Sequence, residues 1–135
     1  MAYNDTQLDI LVAANSTIVN AAASVFWAPG YHSFRLQAVA AVVTTTLDTA
    51  DAVLTITHRV TAGSNTGEVA VDTLTIPNTT AAGQVVYVDG LDTIIEPGGE
   101  IEIAGDGGST AGVAHIVIFG HVVASSPNSD MTESA

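Results

Sequence analysis

Runs of Val, Ile and Thr separated by Gly, Asn, Asp and Pro recur along the chain, and no stretch has the period of an amphipathic helix. Residues 31–43 alternate between apolar and polar side chains in their first half, and beyond that both faces become apolar. In residues 52–60 the alternation places Leu54, Ile56 and Val60 on one face. Because side chains of a strand point alternately to opposite faces, both segments are predicted to be half-buried strands.

Turn residues divide the rest of the chain into further strands. The predicted set is residues 7–14, 31–43, 52–60, 68–76, 85–89, 93–96, 100–104 and 113–124. About eight strands at this spacing indicate an all-β protein, a single antiparallel β-sandwich that is jelly-roll-like. The segment 17–27 is either a strand or a short helical turn, because it contains three consecutive alanines.

The domain prediction is one sandwich formed by residues 1–124. Within it, the N-terminal segment 1–30 is expected to pack as an arm. Residues 125–135 are polar and are predicted to form a flexible tail. Glycosylation sequons begin at Asn4, Asn15 and Asn78, and the sequence alone leaves open whether any is used, since such matches are common in a Thr-rich chain.

Charge is strongly one-sided, with 14 acidic residues against two arginines and a formal net charge of -12. An acidic surface repels phosphate groups, so nucleic acid and anionic membranes are not expected partners. The absence of lysine beside this acid excess resembles proteins of extreme halophiles, in which salt screens the self-repulsion of the surface. The start of the chain lacks the basic residues of a signal peptide, which predicts synthesis in the cytoplasm.

Catalytic and metal-binding residue patterns are scarce. The chain has no cysteine, and His115 and His121 lie about 20 Å apart if they share one extended strand. The acidic turns at 89–92 and 100–106 could hold calcium, but turn formation by Asp and Gly explains them better. The glycine-rich loop at 105–108 is followed by neither a helix nor a lysine, so it is not a phosphate-binding loop. We therefore expect no cofactor, no metal and no enzymatic activity.

Two sets of residues are candidates for contacts with other molecules. Trp27 and Tyr31 belong to the main aromatic cluster and could anchor the core, a subunit contact or a sugar. The last predicted strand is apolar on both faces, with His115, Val117, Phe119 and His121 sharing one of them. A single sandwich covers one face of each sheet, so the other needs a second cover. That cover is either the N-terminal segment, through Ile18, Val19 and Val25, or a neighbouring subunit in a homo-oligomer.

Residues 94–103 read Ile-Ile-Glu-Pro-Gly-Gly-Glu-Ile-Glu-Ile, and a Gly/Ser/Thr loop and a long closing strand follow them. This layout resembles small β-sandwich virion proteins of tailed viruses, among them capsid decoration (cement) proteins and head or tail fibre modules. The resemblance implies a virion location, assembly as a homotrimer and binding to the major capsid protein or other virion proteins. With the acidic composition, it points to a virus of a halophilic archaeon or a marine host. The alternative function is a carbohydrate- or surface-binding module of an adhesin or appendage.

Overall fold

The computed structural model describes residues 9–13, 17–18, 24–48, 50–108 and 111–123. Within these residues every regular element is a β-strand, and there are ten of them. In chain order they are β1 Asp9–Ala13, β2 Thr17–Ile18, β3 Ser24–Trp27, β4 Ser33–Thr45, β5 Ala52–Arg59, β6 Val69–Ile76, β7 Val85–Val88, β8 Thr93–Ile95, β9 Glu100–Gly105 and β10 Val113–Val123. The segment 17–27, for which a helical turn was one prediction, contributes β2 and β3, and residues 19–23 lie outside the described part.

The strands form two sheets in which every pair is antiparallel. The first sheet has the order β1-β10-β4-β7, with β2 also pairing with β10 and β8 also pairing with β4. The second sheet has the order β3-β9-β5-β6. The short strands β1 and β2 lie along the same side of β10, and β7 and β8 lie along the same side of β4, so each pair takes the place of one strand. The sandwich then has eight strand positions, and the chain passes between the sheets as in a jelly roll. The predicted antiparallel, jelly-roll-like sandwich is confirmed.

The core lies between the two sheets and consists of aliphatic side chains and one phenylalanine. From the second sheet, Leu54, Ile56 and Ile103 are completely buried, and from the first sheet Ile116 and Leu36 are. Branched residues of this kind pack well on a pleated surface, which is why Val- and Ile-rich segments form these strands. Val60 was predicted to share the face of Leu54, but it follows the end of β5 and is 60% exposed.

A β-bulge in β4 reverses the faces of that strand. Phe119 of β10 lies opposite Ala38, and the next residue, Gly120, lies opposite Leu36, so Gln37 has no partner in β10. One extra residue in one strand shifts its alternation by one position. Even-numbered residues of β4 therefore face the core before the bulge and odd-numbered residues after it. The alternation predicted for the first half of residues 31–43 is thus present up to this bulge, where it changes face.

The turn between β8 and β9 explains the Pro-Gly-Gly sequence of this region. The Gly99 N–H donates to the Glu96 carbonyl at 2.9 Å, and Gly98 has a φ of 93°. A type II turn requires a positive φ at its third residue and favours proline at its second, which are Gly98 and Pro97 here. The turn returns the chain from the first sheet to the second and sets the start of β9.

Candidate self-association surface

Four of the six predicted interface residues lie on one face of β10. The core-facing side of this strand consists of Ala114, Ile116 and Ile118, each at most 1% exposed. The intervening residues point to the opposite side of the first sheet and are partly exposed. That side carries the four predicted residues, which are His115, Val117, Phe119 and His121.

The neighbouring strands extend this face across the first sheet. Val117 lies opposite Ala40 of β4, which in turn lies opposite Tyr87 of β7. Residues directly opposite one another in adjacent strands share a face. We refer to the resulting surface as the outer apolar face, and its members in β4, β7 and β10 are Ala38, Ala40, Val42, Val85, Tyr87, His115, Val117, Phe119 and His121.

The outer apolar face contains no acidic side chain, although the chain has 14 acidic residues. Its β7 side is the more accessible part, with Val85 55% exposed and Tyr87 64% exposed. Ala40, between Val117 and Tyr87 in the pairing, is only 4% exposed. The surface is therefore mainly apolar, free of carboxylates and closely filled at its centre.

The outward face of the second sheet is mainly polar by contrast, with Phe26 of β3 as an exposed aromatic residue on it. Its positions in β5 are Thr55, Thr57 and Arg59, and the paired positions of β9 include Glu100 and Glu102. An antiparallel sheet with one face on the core and one in water shows this alternation of apolar and polar residues. The second sheet follows that pattern, and the first sheet departs from it.

One end of the outer apolar face is bordered by an ion pair. Arg35 of β4 lies opposite His121 and forms a salt bridge and hydrogen bond with Asp92. The Nδ1 atom of His121 is buried and has no hydrogen-bond partner among the described residues. The boundary of the face is thus polar at this end, whereas the centre is apolar.

The two remaining interface candidates lie elsewhere. Trp27 is in β3 of the second sheet, and its ring packs edge-on against Phe34, with 4.9 Å between the ring centroids. Tyr31 lies in the bend before β4 and is 95% exposed. Trp27 therefore anchors the end of the core, and it does not form one aromatic surface with the outer apolar face.

The second arginine organises a compact cluster of charges on the second sheet. The Arg59 guanidinium lies 3.0 Å from Glu102, 3.3 Å from Glu68 and 3.5 Å from Glu100. It also lies over the ring of Phe26, 5.4 Å from the centroid. Because the Arg59 and Glu100 side chains are only 12% and 8% exposed, this cluster ties β3, β5 and β9 together in a partly desolvated place.

In the acidic turn after β9, the Asp106 carboxylate accepts hydrogen bonds from backbone N–H groups. Asp106 accepts hydrogen bonds from the N–H groups of Gly108 at 3.0 Å and Val53 at 3.3 Å. Gly90, in the turn at 89–92, has a φ of 73°, as glycines of tight turns do. Across the described residues, no group of three His, Asp or Glu side chains is placed to hold a metal ion.

The N-terminal strands extend the sheets in their own planes. Ile18 pairs with Val113 at the edge of the first sheet, and Val25 pairs with Ile103 in the second sheet. Neither residue lies over the outer apolar face, and Val19 is outside the described residues. Two of the three residues that were predicted as an intrachain cover, Ile18 and Val25, thus have other places in the fold.

Sequence reasoning missed the contribution of β7 to this surface. Its residues Val85 to Val88 form a continuous apolar and aromatic run, so alternation could not indicate which of them face outward. The sequence signal that was available is the absence of any charge in this short strand. Pairing with β4 places Val85 and Tyr87 on the outer apolar face and turns Val86 and Val88 toward the core.

Among the described residues there is no helix of the length and apolar character needed to cross a membrane. No protein-family model, curated protein or solved structure matches the chain.

Proposed function

We propose that this chain is a non-enzymatic structural subunit of a virus particle, a capsid decoration protein that associates with copies of itself through the outer apolar face. The observation that carries the proposal is the contrast between the two sheets. The second sheet is mainly polar outside, apart from Phe26 beneath the Arg59 guanidinium. The first sheet presents Val42, Val117 and Phe119 beside the exposed Val85 and Tyr87. Apolar surface of this kind gains free energy when a partner removes it from water.

A second copy of the chain is the partner that the charges favour. At a formal charge of -12, two copies repel each other wherever their acidic residues meet. The outer apolar face is a region where they can meet without opposing carboxylates. Closed assemblies of identical subunits are the common way to bury such a patch, and a trimer is the form that the resemblance to decoration proteins implies.

The virion assignment has two supports. The first is the sequence resemblance of residues 94–103 and the following loop and strand to small virion proteins. The second is that double-sheet jelly rolls recur in viral capsid proteins. The major capsid protein is the expected second partner, and the acid excess without lysine favours a virus whose host lives in concentrated salt.

Mass spectrometry of purified virus particles tests the virion assignment. Particles are banded in a density gradient from the culture in which the chain is produced, and peptides are quantified against the major capsid protein. We expect the chain in the particle band at a fixed ratio to that protein. Peptides present only in the soluble fraction would contradict the assignment.

A further inference from the structure

The strand β7 ends the first sheet on one side, and no strand of the described residues pairs with its outer edge. The Gln84 carbonyl accepts a hydrogen bond from the Val43 N–H at 2.9 Å, so this residue directs its carbonyl toward β4. In an antiparallel pair, successive residues direct their backbone groups to alternate sides. Val85 and Tyr87 therefore direct their N–H and carbonyl groups away from β4, to the open edge.

Proteins commonly protect open edges with charges, bulges or proline. The edge strand β6 of the second sheet carries Asp72 and itself contains a bulge, since Ile56 and Thr57 of β5 pair with Asp72 and Ala70. The edge strand β1 contains Asp9 and has a register shift along its pairing with β10. The strand β7 contains no charge and no proline, and it pairs in regular register with β4.

The surface beside β7 is open. A shallow groove runs along it, bounded on the far side by Thr75, Pro77 and Thr80. Val85 and Tyr87 are more than half exposed at this edge.

We propose that β7 pairs antiparallel with β7 of a second copy about a two-fold axis at Val86. In this register Val85 lies opposite Tyr87 of the other copy, and the outward backbone groups of both residues form hydrogen bonds across the joint. The two outer apolar faces then become continuous. Asp89 lies opposite Gly83 of the other copy, so the nearest carboxylates do not oppose each other.

This contact is distinct from association through the outer apolar face, because it uses backbone groups at an edge. It joins two copies into one extended first sheet, which is β-strand addition with an identical strand as the partner. In this pairing no carboxylate lies opposite another carboxylate. A second copy can therefore pair with the open edge of β7 although each chain has a net charge of -12.

Cysteine cross-linking tests the pairing because the chain has no native cysteine. In the proposed register the two Val86 residues form a non-hydrogen-bonded pair with their Cα atoms about 4.5 Å apart, within the range of a disulfide. The two Tyr87 residues are diagonal across the joint, about 8 Å apart between Cα atoms. When oxidised glutathione is added as the oxidant, Val86→Cys is therefore expected to form a dimer linked by a disulfide between the two introduced cysteine side chains.

Tyr87→Cys is the matched control, since its side chain is more exposed than that of Val86. Random collisions would cross-link the more exposed cysteine faster. The proposed register predicts the opposite, with Val86→Cys giving roughly tenfold more dimer, because Cα separations above about 7 Å cannot be bridged without backbone movement. Equal or faster cross-linking of Tyr87→Cys would overturn the proposal.

A proline variant provides a second measurement. Val85→Pro removes an outward N–H and leaves the bonds to β4 intact, which edge strands tolerate. Added to Val86→Cys, it should abolish the cross-link while circular dichroism still reports a β-protein, and Val85→Thr should preserve the cross-link. A cross-link that survives Val85→Pro would contradict the pairing.

Introducing Val117→Asp into the Val86→Cys chain separates this inference from the proposed function. Val117 lies two strands away from β7, so the substitution should leave the cross-link unchanged. A chain that fails to associate through its outer apolar face but still cross-links at Val86 retains the edge contact. Loss of the cross-link on Val117→Asp would show that β7 pairing is not a separate contact and would contradict the inference.

Discussion

A side-chain carbon on Gly120 would lie 2.0 Å from the carbonyl oxygen of Arg35 and 2.5 Å from Cζ of Phe34. The close approach occurs where the bulge at Gln37 changes the faces of β4. Backbone atoms cannot move aside as a flexible side chain can. The absence of a side chain at position 120 is therefore a condition for pairing the two longest strands of the sandwich in this register.

Gly120→Ala is expected to lower the free energy of unfolding by about 3 kcal/mol, near the upper end of the cost of overpacking. Urea denaturation followed by circular dichroism measures the change. Gly30→Ala is the matched control, because an added carbon there meets no atom within 4 Å and the residue has no positive φ. The control should change stability by less than about 0.5 kcal/mol, and equal effects of the two substitutions would contradict the register.

The two arginines are predicted to differ in their contribution to stability. Arg59→Met leaves the carboxylates of Glu100 and Glu102 close together and poorly solvated, at 8% and 15% exposure. Removing one partner of a buried ion pair costs about 3 kcal/mol or more, and we expect a loss of that size in urea denaturation.

Arg35→Met is the control, since it makes the same change in net charge. Its pair with Asp92 is more exposed, at 33% and 68% for the two side chains. Exposed pairs contribute up to about 1 kcal/mol, so this variant should stay within that limit. If Arg35→Met destabilised the protein as much as Arg59→Met, overall charge rather than the cluster would be the cause.

Stability is expected to increase with salt. The formal charge of -12 is spread over a chain with two cationic side chains, and the Debye length falls from about 10 Å at 0.1 M salt to about 3 Å at 1 M. The melting temperature should therefore rise when potassium chloride is raised from low to molar concentration. A melting temperature that stayed constant or fell would remove the support for a high-salt environment.

A variant with fewer exposed carboxylates checks the cause of the salt effect. Asp72 and Asp89 are both exposed, and replacing them with asparagine removes two negative charges without changing the size of the side chains. If screening of self-repulsion causes the rise in melting temperature, the double variant should show a smaller rise than the natural chain. An undiminished rise would assign the effect to salting-out of apolar surface instead.

The strands and their turns were predictable because they depend on neighbouring residues. Alternation in 52–60 and the Pro97-Gly98 turn are local signals, and β5 and the β8–β9 connection follow from them. The bulge at Gln37 was not predictable, because it depends on Gly120, which is distant in sequence and adjacent only in the folded sheet. Local propensity contains no information about such a pairing.

The outer apolar face could be predicted only in part, because its position within one strand is a local signal whereas its extension to other strands is not. The apolar positions on both faces of β10 gave His115 and Val117 correctly as one face. The partners of these residues in β7 could not be identified, because the order of strands in a jelly roll is a property of the whole chain. For Trp27 the sequence left open an anchor of the core, a subunit contact and a sugar contact, and its position in β3 directs it to Phe34 of the core.

Substitution at the centre of the outer apolar face tests its role in self-association. Val117→Asp places a carboxylate opposite Ala40, among apolar side chains. It should abolish association through this face while strand content is retained and the β7 edge contact remains. Val69→Asp makes the same chemical change at an exposed position of β6 in the second sheet, where Val69 is 60% exposed, and should have no effect on association.

Sedimentation equilibrium of the intact chain at micromolar concentration in molar potassium chloride measures the mass of each form directly. We expect the natural chain and Val69→Asp to sediment at the same multiple of 13.7 kDa, built from the trimer that the resemblance implies for the outer apolar face. Val117→Asp should sediment no higher than the dimer that the β7 contact holds. A natural chain that sediments as a 13.7 kDa monomer under these conditions would contradict self-association through the outer apolar face.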